Sequence, residues 1–209
     1  MRQIPLPLGS GARAGPSRIV VGSANAALLD AFASAADWPF RTAVLFGPPR
    51  SGKSLLARWF TESGAGEAID NADTLDEADL FHRWNRAQES GRPLLIVANA
   101  AEGGWNIALP DLASRMGAAL HLEIGEPDDA MLAELIAVHA EMRGLALGPD
   151  AAAYLVPRAT RSHLGIEALL STIDRLSLER KQAPTMAIWR EALDELAGEL
   201  DRKRQPRLI

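Results

Sequence analysis

The residues best suited to chemistry lie at positions 47–54: Gly47, Pro48, Pro49, Arg50, Ser51, Gly52, Lys53 and Ser54. They fit the pattern G-x-x-x-x-G-K-[ST], and the spacing has a physical reason. The glycines let backbone N–H groups turn inward around a phosphate, and a helix starting near Gly52 points its positive dipole end at the same anion. Lys53 is then placed to reach the β- and γ-phosphates, and the Ser54 hydroxyl to ligate Mg²⁺. The expected ligand is ADP or ATP with Mg²⁺. Such a site needs an acid at the end of a neighbouring strand to hold the magnesium shell, and Asp70 is the best candidate. Next to it stands Asn71, an amide that cannot take a proton from an attacking water as a carboxylate would. Asn99, at the end of another apolar run, is placed to hydrogen-bond the γ-phosphate or that water. Two plainer readings stay open: residues 70–73 as a turn capping the next helix, and Asn99 as an ordinary strand-end amide.

These residues need elements to position them. The apolar run 42–46 reads as a buried strand feeding the loop, and 53–61 carries helical periodicity. Residues 67–70 read as a short strand, 75–89 as an amphipathic helix stopped by Gly91 and Pro93, and 94–98 as a buried strand. A short helix over 109–116 leads to a strand near 119–124. Strands alternating with helices predict a parallel sheet with crossover helices. Before it, 23–35 reads as a helix capped by Ser23. Residues 1–17, rich in Pro, Gly and Ser, read as an unstructured arm. After Glu126-Pro127 only helices are expected, over 128–143, 150–156, 162–181 and 185–200. The expected domains are therefore an arm (1–17), an α/β nucleotide-binding domain (18–125) and a helical domain (126–209).

Composition narrows the class. The chain has 209 residues and no cysteine, which excludes a disulfide framework, a thiolate zinc site and a cysteine nucleophile. None of His82, His121, His139 and His163 pairs at metal-ligand spacing. A net charge of −5 argues against a surface whose main task is to coat nucleic acid, so any DNA contact is expected to be indirect or weak. The one dense basic run, Arg202, Lys203, Arg204 and Arg207, reads as a solvated tail. No apolar stretch approaches the ~20 residues of a membrane span, and no secretory signal is visible, so the expected compartment is the cytoplasm.

With the phosphate loop, Asp70, Asn99 and a helical appendage, the chain resembles AAA+ ATPases. The segment Leu109-Pro110-Asp111-Leu112-Ala113-Ser114-Arg115-Met116 resembles the L-P-D-L-x-S-R stretch of the replication initiator DnaA and its shorter relatives. In that family the final arginine is a finger that reaches into a neighbouring subunit's nucleotide site, and the resemblance places this role on Arg115. Such a finger is worth ~10³–10⁵ in rate. It implies an arginine exposed at the rim of the α/β domain.

The likeness narrows to the Hda-like regulators of the DnaA family. No DNA-binding domain of the DnaA kind is expected after the helices, and Asp70-Asn71 resembles the Asp-Asn of Hda-like magnesium strands. The opening Gln3-Ile4-Pro5-Leu6-Pro7-Leu8 resembles the Q-L-x-L-P-L peptide that binds the sliding clamp. In that peptide Gln3 would be a polar hook, with Ile4, Leu6 and Leu8 as apolar contacts. Prolines would reduce the entropy lost on binding. The resemblance implies a nucleotide-bound regulator that docks on the clamp and drives hydrolysis of DnaA-bound ATP. Its own ATPase activity would be weak, and a homodimer is one assembly it allows. Two departures stand out. The chain between Arg58 and Glu67 is too short for the family's extra strand and helix, so a four-stranded sheet is expected. Leu164 falls where the lid's sensor arginine belongs, leaving Arg161 as the nearest substitute and Arg158 as a poorer one. A small nucleotide kinase or a helicase-loader-like adaptor would share the core. The kinase would leave the arm, the octapeptide and the appended helices unexplained, and the clamp-like arm argues against the adaptor.

Overall fold

The computed structural model describes residues 2–5, 18–100 and 104–204. The chain divides into two compact units at Glu126/Pro127: an α/β unit and a helical unit from Pro127 onward.

In the α/β unit, β3 (Thr42–Phe46) and β5 (Leu94–Val97) form the centre of a parallel sheet, with β4 (Glu67–Ile69) and β6 (Leu120–Glu123) at its edges. The order is β4-β5-β3-β6, four strands as the short 58–67 connection predicts. Register pairs Ile69 with Ile96, Val97 with Leu45, and Phe46 with Glu123. The central strands are continuous apolar runs because helices cover both faces of a parallel sheet. Alternate side chains supply the two cores. Leu45, Leu95 and Val97 pack with α1 (Ala26–Ala33) and α2 (Lys53–Glu62) through Leu28, Phe32, Leu56 and Phe60. Val44, Phe46 and Ile96 pack with α3 (Glu77–Ser90) and α4 (Pro110–Ala118) through Leu80, Trp84, Leu112 and Met116.

The chain start differs from the sequence reading. Arg2–Pro5 forms a strand, β1, antiparallel to β2, Arg18–Val21. Residues 2–5 are therefore paired backbone rather than unstructured arm, while 6–17 lie outside the described residues. Pro5, which has no N–H to donate, falls at the end of the ladder opposite Arg18. Ser23 is not the cap of α1. The helix begins at Ala26, and the Asn25 side chain turns back, accepting the Gly22 N–H (2.9 Å) and donating to Val20 O (2.8 Å). This competition with the helix is what an Asn side chain near the backbone offers.

In the helical unit, α5 (Asp129–Arg143), α6 (Pro149–Leu155), α7 (His163–Arg180) and α8 (Met186–Arg204) fall within a few residues of the predicted spans. Asp128 caps α5 by accepting the Met131 N–H at 2.8 Å, and Ser162 caps α7 by accepting the Gly165 N–H at 2.9 Å. Arg175 joins α7 to α8 through Glu195, as Arg180 does through Glu191. Among the described residues no helix is long and apolar enough to cross a membrane.

Candidate functional site

The sheet brings the sequence-predicted phosphate residues to its carboxyl edge, where open α/β sheets bind ligands. Gly47 follows β3, Asp70 follows β4, and Asn99 follows β5 and Ala98. A cavity of about 340 Å³ opens there, lined by Gly47, Pro48, Pro49, Asn99, Glu123, Ile124, Gly125 and Glu126. That volume lies in the range of small-ligand sites. Gly47 is required for space: a Cβ there would stand 2.9 Å from Ile124 Cβ. Gly52 takes φ +91°, a left-handed turn that aims the first N–H groups of α2 back into the loop. Arg50, with φ +65°, holds a similar conformation without being glycine.

Lys53 is 6% exposed, and its ammonium donates to Gly47 O (2.8 Å) and Pro48 O (3.1 Å). Burial pushes its pKa below the usual 10.5, while the negative charges of Asp70 and Asp73 work against that fall. Ser51 Oγ is buried in the same loop with no partner among the described residues. A buried cation and an unused hydroxyl beside inward-turned backbone are what a phosphate group would satisfy. Ser54 is exposed at the first turn of α2, and Asp70 is half-buried. No cluster of three His, Cys, Asp or Glu suited to a metal occurs among the described residues. Mg²⁺ fits here only in its usual nucleotide mode, with one carboxylate and a hydroxyl and the remaining ligands from phosphate and water.

The turn after β4 is built against the end of β5. Asn71 takes φ +53°, and its Oδ1 accepts Asn99 Nδ2–H at 2.8 Å. The two strand-end amides singled out in the sequence are thus bonded to each other. Asp73, which sequence reasoning placed only in a capping turn, accepts the N–H groups of Asn99 and Ala100. Glu123, Ile124, Gly125 and Glu126 were also missed as wall residues. Their position at and directly after the end of β6, the strand next to β3, is the signal that points to them. Gly125 N–H donates to Ala24 O (3.0 Å), tying this wall to the segment after β2.

Arg115 is half-buried rather than projecting freely from α4. Its guanidinium carbon lies 4.5 Å from the ring centroids of both Phe81 and Trp84 on α3. One nitrogen reaches Asp111 O at 3.4 Å. Among the described residues it has no carboxylate partner and no bond to the phosphate loop. In the helical unit, Arg161 is ion-paired with Asp129, both largely exposed, Leu164 is 50% exposed, and Arg158 stacks on Tyr154 at 4.2 Å. Gln3 and Ile4 lie in β1, opposite Val20 and Ile19, whereas Leu6 and Leu8 lie outside the described residues.

A model of the Hda lid domain matches residues 128–193. Among solved structures, domain III of the replication initiation protein DnaA from Thermotoga maritima is similar at a TM-score of 0.68 and 14% identity, covering 84% of this chain and 93% of that one. AMPPCP-bound DnaA from Aquifex aeolicus is similar at 0.58 and 16% identity, over 78% of this chain and 66% of that one. The Holliday junction branch migration motor RuvB of Thermotoga maritima follows at 0.59 and 17%, over 84% and 70%. Residues 128–193 thus match the Hda lid domain, and the chain shares the fold of DnaA domain III.

Proposed function

We propose that this DnaA-related AAA+ regulator of replication initiation holds ADP or ATP at residues 47–54. It docks on the DNA sliding clamp through Gln3, Ile4, Leu6 and Leu8, and promotes hydrolysis of DnaA-bound ATP through Arg115. The observation that carries the reading is the setting of Arg115. The two rings engage the cation's charge, and of its N–H groups one reaches Asp111 O at 3.4 Å while Nε is buried without a partner among the described residues. With no carboxylate paired to it among the described residues, the charge stays available to a phosphoryl group on another molecule.

The protein's own nucleotide has a holding role. Lys53 would exchange its two carbonyl bonds for phosphate oxygens, Ser51 would gain a partner, and Ser54 and Asp70 would hold Mg²⁺. Mg²⁺, when bound, would screen the charge of adjacent phosphates. Asn71 supplies no base, and its amide is already engaged with Asn99, which supports weak intrinsic turnover. Arg161 is the substitute lid sensor, which would have to leave Asp129 to meet a nucleotide. An exposed ion pair of this kind gives up little on opening.

The test is hydrolysis of DnaA-bound ATP in the presence of DNA-loaded clamp. Wild-type protein is expected to stimulate it and Arg115→Ala to abolish the stimulation, with nucleotide and clamp binding retained. Full stimulation by Arg115→Ala refutes the proposal.

A further inference from the structure

Asn99 is the side chain that β5 contributes to the cavity, yet it lies just beyond the strand's last ladder bonds, where nothing in β5 fixes its direction. What fixes it is the turn after β4. Asp73 Oδ2 accepts two successive backbone N–H groups, from Asn99 and Ala100, each at 3.1 Å. Asn71 Oδ1 takes the side-chain amide of the same Asn99 at 2.8 Å. Three bonds from one short turn therefore hold two successive residues, two of the bonds being on Asn99. The second Asp73 oxygen, Oδ1, is buried without a partner among the described residues, and the carboxylate lies close enough to Lys53 to act on its charge. A carboxylate accepting backbone N–H groups makes stronger bonds than a neutral acceptor does.

We propose that Asp73 is a positioning residue of this nucleotide site: it ties the 99–100 backbone to the turn after β4 and so sets whether Asn99 can report the γ-phosphate. The inference rests on the reading that residues 47–54 bind nucleotide, and it assigns the preference between nucleoside diphosphate and triphosphate to a residue outside the phosphate loop. Asp73 touches no substrate. It acts through Asn99, which lines the same cavity as the loop residues Gly47, Pro48 and Pro49. Without the tether the segment after β5 keeps its place in sequence but loses its fixed direction. The contact to the terminal phosphate is then lost while contacts to the inner phosphates remain.

The experiment compares full-length wild type with Asp73→Ala and Asp73→Asn. The Asn variant keeps one oxygen that can accept both N–H groups but removes the charge. Affinity for ADP and for AMPPCP, each with Mg²⁺, is measured by calorimetry. Amide hydrogen exchange at residues 99 and 100 is followed without nucleotide. In Asp73→Ala, AMPPCP should weaken about tenfold or more relative to ADP, the effect of losing a hydrogen bond to a charged group. Exchange at both amides should accelerate in the same variant. Asp73→Asn should restore most of the protection and most of the discrimination. Unchanged exchange in Asp73→Ala overturns the tether. Accelerated exchange with an unchanged ADP-to-AMPPCP ratio overturns the link to the γ-phosphate, as does equal weakening of both ligands. Wild-type protein that binds neither nucleotide removes the underlying site reading, and with it the proposal, while the exchange result still reports the tether by itself. Should Asp73→Ala fail to fold, a ratio in Asp73→Asn that differs from wild type by tenfold or more with full amide protection overturns the positioning role.

Discussion

Replacing Arg115 with alanine tests the finger and the packing together. Without the structure, an arginine acting on another molecule should be removable at no cost to stability. Its contact with Phe81 and Trp84, 4.5 Å from each ring centroid, changes that expectation. Each cation–π contact is worth about 0.5–1 kcal/mol when exposed and about 2 when desolvated. Trp84 is only 8% exposed and Arg115 half-buried, so the pair of contacts should contribute about 1–3 kcal/mol. Arg115→Ala should therefore lower the urea midpoint of the α/β unit by about 0.3–1.5 M, taking m of about 2–3 kcal/mol/M. Arg115→Lys should recover part of this, because an ammonium keeps the charge but not the flat face that stacks. A double-mutant cycle with Trp84→Leu isolates the contact, with an expected coupling of about 0.5–2 kcal/mol. A midpoint unchanged in Arg115→Ala, or strict additivity in the cycle, refutes the stacked arrangement. The same variant read for DnaA-bound ATP hydrolysis must be assayed well below its unfolding midpoint, so that lost activity reports the missing cation and not lost fold.

Lys53→Met should weaken ADP binding by about tenfold to a hundredfold, measured by calorimetry, because a charge-assisted bond to phosphate is lost. In nucleotide-free protein the same change should leave stability unreduced at neutral pH. The Lys53 pKa is lowered by burial, so the native state holds fewer protons than the unfolded one between that lowered value and 10.5. Wild-type stability relative to Lys53→Met should accordingly rise with pH through this window, and a fall would contradict the buried-cation geometry. Changing Leu6 and Leu8 to alanine should abolish clamp binding in a pull-down while leaving thermal stability intact. Deleting residues 1–9 is the less clean test, since it also removes β1 and unpairs β2. Purified protein alone should turn over ATP far below ~1 s⁻¹. A vigorous partner-free ATPase would argue for an independent enzyme.

The parts legible in the sequence are those whose chemistry is local. Residues 47–54 must be contiguous to wrap a phosphate, and buried runs such as 42–46 and 94–97 state their burial in their own composition. The four-stranded sheet followed from a chain length between Arg58 and Glu67 that has no room for more. What escaped was set by partners distant in sequence. The pairing of Arg2–Pro5 with Arg18–Val21 spans a Gly- and Pro-rich segment that reads as a loop from composition alone. The Asn25 side chain displaced the expected cap because its partners, Gly22 N and Val20 O, exist only once β2 is formed. The cradle of Arg115 uses rings from α3, and helical periodicity could assign Trp84 to the core without showing that a cation shares its face.

The same division runs through the nucleotide site. Asp70, Asn71 and Asn99 could each be picked out as strand-end polar residues, but their relation could not, because it depends on β4 lying beside β5. Once Ile69 pairs with Ile96, the two strand ends fall together. Asn71 then bonds Asn99, and Asp73 reaches the next two N–H groups. The Asn71 oxygen is thereby engaged by the Asn99 side chain, and Asp73 by the backbone beside it. On the proposed reading, a site wired this way keeps a nucleotide in place rather than consuming it. On the same reading, Arg115, which has no carboxylate partner among the described residues, is the group that acts on a nucleotide held by another molecule.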